Sequence, residues 1–286
     1  MLPWCREYSG YGSMRLLICL PLLFLTRPCG AWDTAPHQKI TSAALATLSK
    51  SVLDRFGAEA AALVDIYCTL PDRYVEMVDF GFVRKGSGPR NAAEIRPYCV
   101  RPDGELVHGP TGDRETDIAS LVYLSERIVT SFSEKQTGDA ARYAGVLSHF
   151  IADGLSPSHA VSRQKLDLDL HVTIERSVPD FTLGNRMPKM AGHHIVSAAE
   201  TILEQCYAGA EQNRKDLQSM IEAAYAHDQR KLDVYRLRAS RKAAEILADA
   251  LYTLSPPLQR ATPNDFCDRG RSPGCMDLFV YFSGTE

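Results

Sequence analysis

Along the chain, apolar positions recur three and four apart, the spacing that puts side chains on one face of an α-helix. Between 37 and 56 the repeat is Ile40, Ala43-Ala44, Thr47-Leu48 and Leu53, and Gly57 supplies a stop. Between 116 and 133 the stripe runs through Ile118, Leu121-Val122, Leu124-Ser125, Ile128-Val129 and Phe132. Tyr143, Val146-Leu147 and Phe150 mark a further helix over 139–152. The same period predicts helices over 166–178, 195–207, 217–226 and 234–254. No window alternates in the manner of a strand, and no repeat period emerges. The expected fold is all-α, a single multi-helix domain. Two stretches break the pattern. Residues 79–113 are dense in Gly and Pro and read as a long irregular lid loop, and 256–286 read as an irregular surface tail.

The N-terminus follows different rules. Arg15 precedes an apolar run over 16–25, followed by small residues at Cys29-Gly30-Ala31. A membrane-spanning helix needs about 20 apolar residues, so this run is too short to cross a bilayer. It fits the core of a secretory signal over 1–31, and cleavage after Ala31 would make Trp32 the first residue of a domain over 32–286. A buried N-terminal helix is the other reading. The signal reading makes the protein secreted or periplasmic, with no transmembrane span once the signal is removed.

Composition narrows the class. The chain has 286 residues, 45% hydrophobic and 23% charged, which argues against a disordered or collagen-like chain. The formal net charge of −3 gives no strongly basic nucleic-acid footprint. Eight cysteines are too few for a disulfide-built scaffold. Signal removal would leave Cys68, Cys99, Cys206, Cys267 and Cys275, an odd number in a compartment that permits disulfides. Cys68–Cys99 and Cys267–Cys275 are the expected pairs, with Cys206 free.

The candidate chemistry lies in a spaced set of His and acidic residues: His149-x3-Asp153-x5-His159-x11-His171-x3-Glu175. The i, i+4 spacing puts His149 and Asp153 on one helix face, and likewise His171 and Glu175. Residues 154–158 end the first helix, so His159 can turn back toward the same point. Imidazole and carboxylate are the ligands that Zn²⁺ takes outside thiolate sites. No His-Glu-x-x-His, Gly-x-Ser-x-Gly or Walker-type motif is present, which favours a metal-activated water over a serine or cysteine nucleophile. Upstream stand Trp32, His37, Asp72 and His108. Taken singly, Trp32 reads equally as a buried aromatic, Asp72 as a helix N-cap and His108 as a loop surface residue.

In this order, from Trp32 to Glu175, these nine positions resemble the zinc-dependent phospholipase C and fungal-type single-strand nuclease superfamily. The resemblance implies three zinc ions. One would be held by Asp72, His108, His149 and Asp153, and a second by His159, His171 and Glu175. A third would take the Trp32 amine and carbonyl, His37 and a bridging oxygen of Asp153. Such a cluster activates a shared water for attack at phosphorus, with Asp72 as general base.

Departures from the family bear on the substrate. The nuclease relatives place a base-stacking aromatic directly after the fourth ligand, where this chain has Gly109. The choline-selective phospholipases have an acid and a Tyr where this chain has Ala35 and Arg73. The lid carries Arg73, Phe80, Phe82 and Arg84, candidates for contact with an anionic phosphodiester or a lipid surface, although a solvated basic loop accounts for them equally well. The expected function is a phospholipase C-like zinc hydrolase, with phospholipid favoured over nucleic acid and peripheral membrane contact. The alternatives are a single-strand nuclease or nucleotidase on the same site, or an inactive zinc-holding binding module. Residues 231–242, rich in Lys and Arg, read as a solvated helix face, and His193-His194 as the start of a helix.

Overall fold

The computed structural model describes residues 34–83, 88–159, 166 and 168–255. The expected signal sequence, Trp32, Arg84, the Cys267–Cys275 pair and the tail over 256–286 lie outside the described residues. Among the described residues the regular structure is all helical, apart from one isolated antiparallel bridge, Val100 to Leu106. The all-α expectation holds. No described helix is long and apolar enough to cross a membrane.

The fold is built around α7 (Thr137–Leu155), whose apolar residues go all the way round rather than along one stripe. A helix of that kind must be enclosed. It is packed by α1 (Thr34–Leu45), α3 (Glu59–Asp65), α4 (Leu70–Phe80), α6 (Arg114–Ser133), α9 (Ile195–Tyr225) and α10 (Gln229–Leu254), and by the 3₁₀ turn Tyr67–Thr69. Phe150, Leu147 and Ile151 of α7 join Leu121, Ile202 and Leu247 in the main core. A smaller apolar cluster stands apart from it. There α8 (Leu168–Glu175) sets Leu170 and Ile174 against Met220 of α9 and Leu232 of α10.

Several helices differ from their expected extents, each for a local reason. The expected helix over 37–56 is two, α1 and α2 (Lys50–Phe56). The Thr47 hydroxyl donates to Ala44 O at 2.8 Å, a local bond that competes with helix continuation. Conversely, 195–207 and 217–226 belong to the single helix α9. Its polar middle hides a packing contact, where buried Asn213 donates to Leu155 O at 2.8 Å and closes the end of α7. The expected loop over 79–113 contains α5 (Ala92–Cys99), capped by Asn91 and buried through Ile95 and Cys99. Gly and Pro density marked the turns around α5 and concealed it. Helix α3 also arises where no helix was expected, and α4 starts at Leu70, so Asp72 lies in its first turn and not at its cap.

Two further expectations are corrected. Cys68 and Cys99 are not bonded to each other, and these two and Cys206 are free and buried. The Cys68 Sγ–H instead donates to Val64 O at 3.0 Å, and burial pushes its thiol up to about 12. Arg236, expected on a solvated face, is 1% exposed.

Gly145 sets the distance between α7 and the 3₁₀ turn. A Cβ there would lie 2.5 Å from the carbonyl carbon and oxygen of Tyr67. Backbone cannot rotate out of the way, so Gly145→Ala should cost about 1–3 kcal/mol and lower Tm by roughly 3–10 °C. At Gly138 on the same helix an added Cβ meets only the movable end of Arg142, at 3.1 Å. Gly138→Ala should therefore leave Tm unchanged or raise it. Equal melting of the two variants would refute the close-approach argument.

Candidate metal centre

The close approach at Gly145 has a second effect one turn later. His149 follows at i+4 on the same face, and its Nδ1 stands 2.9 Å from the Cys68 carbonyl oxygen of the 3₁₀ turn. An Nδ1–H donated there leaves Nε2 as the free ligand atom, aimed at Asp72 Oδ1 (3.7 Å) and Asp153 Oδ2 (3.4 Å). Asp72 comes from the first turn of α4 and Asp153 from the last turn of α7. His37, from α1, stacks on the His149 ring with centroids 4.1 Å apart. Its Nε2 reaches 3.5 Å from the other Asp153 oxygen, Oδ1. Thr41, one turn on from His37, meets Ser148 Oγ at 2.7 Å and locks α1 to α7 beside the site.

His108 arrives on irregular chain, and a buried carboxylate holds that chain. Asp117 of α6 accepts from Thr111 N at 2.7 Å, Thr111 Oγ1 at 2.8 Å, Gly112 N at 3.1 Å and Tyr207 Oη at 2.7 Å. The anchored loop sets His108 between the two acids, Nε2 at 3.0 Å from Asp72 Oδ1 and Nδ1 at 3.0 Å from Asp153 Oδ2. Gly109 follows, and a Cβ on it would lie 2.8 Å from Asp153 Cβ. A side chain there would collide with the carboxylate that the site is built around.

A second group forms past the end of α7. Ser156 ends the helix, and His159 N donates to Ser156 O at 3.1 Å, folding the chain back. His159 Nε2 then lies 3.8 Å from Glu175 Oε1, and His171 Nε2 lies 3.0 Å from Glu175 Oε2. Buried Ser156 donates its hydroxyl to Glu175 Oε1, which ties this group to the chain three residues after Asp153.

Among the described residues, three sets of side chains thus offer ligand atoms within 4.8 Å of one another: Asp72, His108 and His149; His37, His149 and Asp153; and His159, His171 and Glu175. Their chemistry fits a divalent cation. Ligands about 2.0–2.2 Å from a tetrahedral ion stand roughly 3.3–3.6 Å from one another, close to the distances here. His37 Nδ1 and Nε2, His149 Nε2 and Asp153 Oδ1 are buried and reach no hydrogen-bond partner among the described residues. Buried polar atoms are ordinarily paired, and the chemistry of these suits coordination to a cation. His149 Nε2 has one lone pair and can serve one ion. With His149 beside Asp72 and His108, an ion at His37 would keep only His37 and Asp153 among the described residues. Side chains of Asp72, His108 and His159 are 23%, 15% and 17% exposed, whereas those of His37, His149 and Asp153 have no exposed surface. Solvent therefore reaches the first set at Asp72 and His108 and the third at His159.

The charges are strongly linked. Burial opposes ionisation of Asp72 and Asp153, yet His149 and His108 hold the first below the usual carboxylate range and the second well below it. Burial and the His149 imidazole take His37 down to about 3. Burial works the same way on His108, but the Asp153 and Asp72 carboxylates outweigh it and push His108 up to about 10.

The structure also places the candidate contact residues. Phe80 and Phe82 are exposed at the far end of α4, with ring centroids 6.5 Å apart. Arg73 is buried, its guanidinium against Gly88. Sequence reasoning missed the supports: Gly145, Asp117, Ser156 and the Cys68 carbonyl. Only Gly145, a glycine inside an apolar helix, left a visible signal.

A cation at His108 must displace a proton that the two carboxylates favour. Affinity there should strengthen as pH rises toward 10. Titrating Zn²⁺ at pH 7 by calorimetry in buffers of different ionisation enthalpy should report about one proton released from this group. His108→Gln should remove that release. Heats independent of buffer in the unmutated protein would contradict the assignment.

Comparison with protein-family models, with curated proteins and with solved structures finds no match for this chain.

Proposed function

We propose that the protein is an exported zinc-dependent phosphodiester hydrolase, phospholipase C-like in its reaction. The observation that carries this reading is Asp153, fully buried with its two carboxylate oxygens facing different ligand sets. A structural zinc site is usually closed by four ligands, often thiolates, and has no use for a shared carboxylate or an open side. The order of ligands along the chain, and Trp32 at the expected cleavage point, support the same reading.

Zinc held by these residues would supply a water of lowered pKa and positive charge against the phosphoryl oxygens. The chain's own residues would do the rest. Asp153 holds His37, His108 and His149 around one point. The Cys68 carbonyl fixes the ring of His149. Asp72, part-exposed, would orient the attacking water and take its proton. Phospholipid is preferred over nucleic acid because Gly109 carries no ring for a base to stack on, a contact worth about 1–3 kcal/mol per base in single-strand binders. The close approach of Gly109 to Asp153 rules out restoring that ring by substitution.

The test uses protein processed to begin at Trp32. Zinc content should approach three per chain, and phospholipid vesicles and bis(p-nitrophenyl) phosphate should both be hydrolysed. Hydrolysis of single-stranded DNA with none of any phospholipid would make the protein a nuclease. Zinc without turnover of any diester would make it a binding module. Asp153→Asn should lose two zinc ions together, and full retention would overturn the bridging role. Asp72→Asn should keep most of the zinc and lower turnover by about 10²–10⁴-fold. Unchanged turnover in that variant would remove Asp72 from the catalytic role.

A further inference from the structure

The two halves of the centre rest on different foundations. His37, His149 and Asp153 stand on α1 and α7, whose apolar residues belong to the main core. His171 and Glu175 stand on α8, whose Leu170 and Ile174 belong to the smaller cluster. Two helical turns are far below the length at which a helix holds itself together, so α8 depends on what it packs against.

One buried residue of α10 meets the end of α8. Arg236 Nε donates to Ile174 O at 2.7 Å, and Nη2 donates to Thr173 O. Its remaining nitrogen, Nη1, donates to Asp233 Oδ1 at 3.0 Å and Gln229 Oε1 at 3.2 Å, both on α10 itself. Thr173 and Ile174 immediately precede Glu175, the last residue of α8. The guanidinium thus satisfies carbonyls that a helix end leaves unpaired and sets a positive charge at the negative end of the helix. Ser156 holds the Glu175 carboxylate from the other side. Burying a guanidinium is costly unless it is well bonded, and two of its partners here are α8 carbonyls.

We infer that Arg236 is a positioning residue that governs cation loading at the His159, His171 and Glu175 group and leaves the groups around Asp153 alone. Among the described residues its hydrogen bonds go to α8 and to its own helix, and none goes to α1, α4, α7 or the His108 loop. The inference rests on the reading that these groups hold cations. It does not need the hydrolytic half of that reading.

The experiment measures zinc stoichiometry and affinity on the processed protein and on Arg236→Gln, with backbone hydrogen exchange over 168–175. Arg236→Gln should lose one zinc, or bind it at least tenfold more weakly, and keep the others, while exchange over α8 quickens. Arg236→Lys, which keeps the charge but not the fork of donors, should recover part of the loss. In a His171→Asn background, Arg236→Gln should remove no further zinc. Full loading of Arg236→Gln, or loss of zinc from all groups alike, would overturn the inference while the site reading stands. An unmutated protein that takes up no zinc would overturn the site reading, and the inference with it. Should Arg236→Gln fail to fold, Gln229→Ala and Asp233→Ala loosen the guanidinium without emptying its place. Undiminished loading at the second group in both would count against Arg236.

Discussion

A carboxylate with no exposed surface stays ionised only while positive charge or polar hydrogen stands beside it, and Asp153 lies against three imidazoles, of which His108, shared with Asp72, is the one held protonated. Much of the surrounding architecture follows from supplying them. His149 comes from the same helix, His37 from a helix locked to it through Thr41 and Ser148, and His108 from a loop that must be held by other means. Two glycines admit the necessary approaches. Gly145 lets α7 sit on the backbone of Tyr67, and Gly109 lets the loop pass over the carboxylate. Asp117, itself buried, accepts four hydrogen bonds and so fixes a stretch with no regular structure.

The fold was legible where helices carry a one-sided stripe. The stripe through Leu121, Leu124 and Ile128 gave α6 almost to the residue, because that helix has one buried face and one wet one. It misled where burial does not follow a stripe. The centre of α9 is polar in composition yet packed through Asn213, and α5 hides among glycines because its two buried residues are too few to make a period. The ligand set was legible because coordination demands particular side chains at particular intervals. His149 with Asp153, and His171 with Glu175, are pairs that four-residue spacing alone brings together.

The supports for those ligands were not legible, and the reason is physical. A backbone carbonyl, such as that of Cys68 or Ile174, has no signature in the choice of side chain. A buried arginine such as Arg236 looks like any other in a run of basic residues until its neighbours are known. Asp117 reads as an ordinary acid in the first turn of a helix, where negative charge is welcome on any account. Tertiary contact gives these residues their meaning, and a single chain read in isolation does not contain it.

Gly145, His149 and Asp153 stand four residues apart along one helix, and each meets a different partner: the Tyr67 backbone, the Cys68 carbonyl with Asp72, and the imidazoles of His37 and His108. The helix acts as a ruler. Each residue added or removed turns everything beyond it by about 100°. An insertion between Gly145 and Asp153 would therefore swing a ligand out of register however conservative the inserted residue. Over that interval the number of residues is fixed by the ligands, separately from what packing asks of the side chains between the marks.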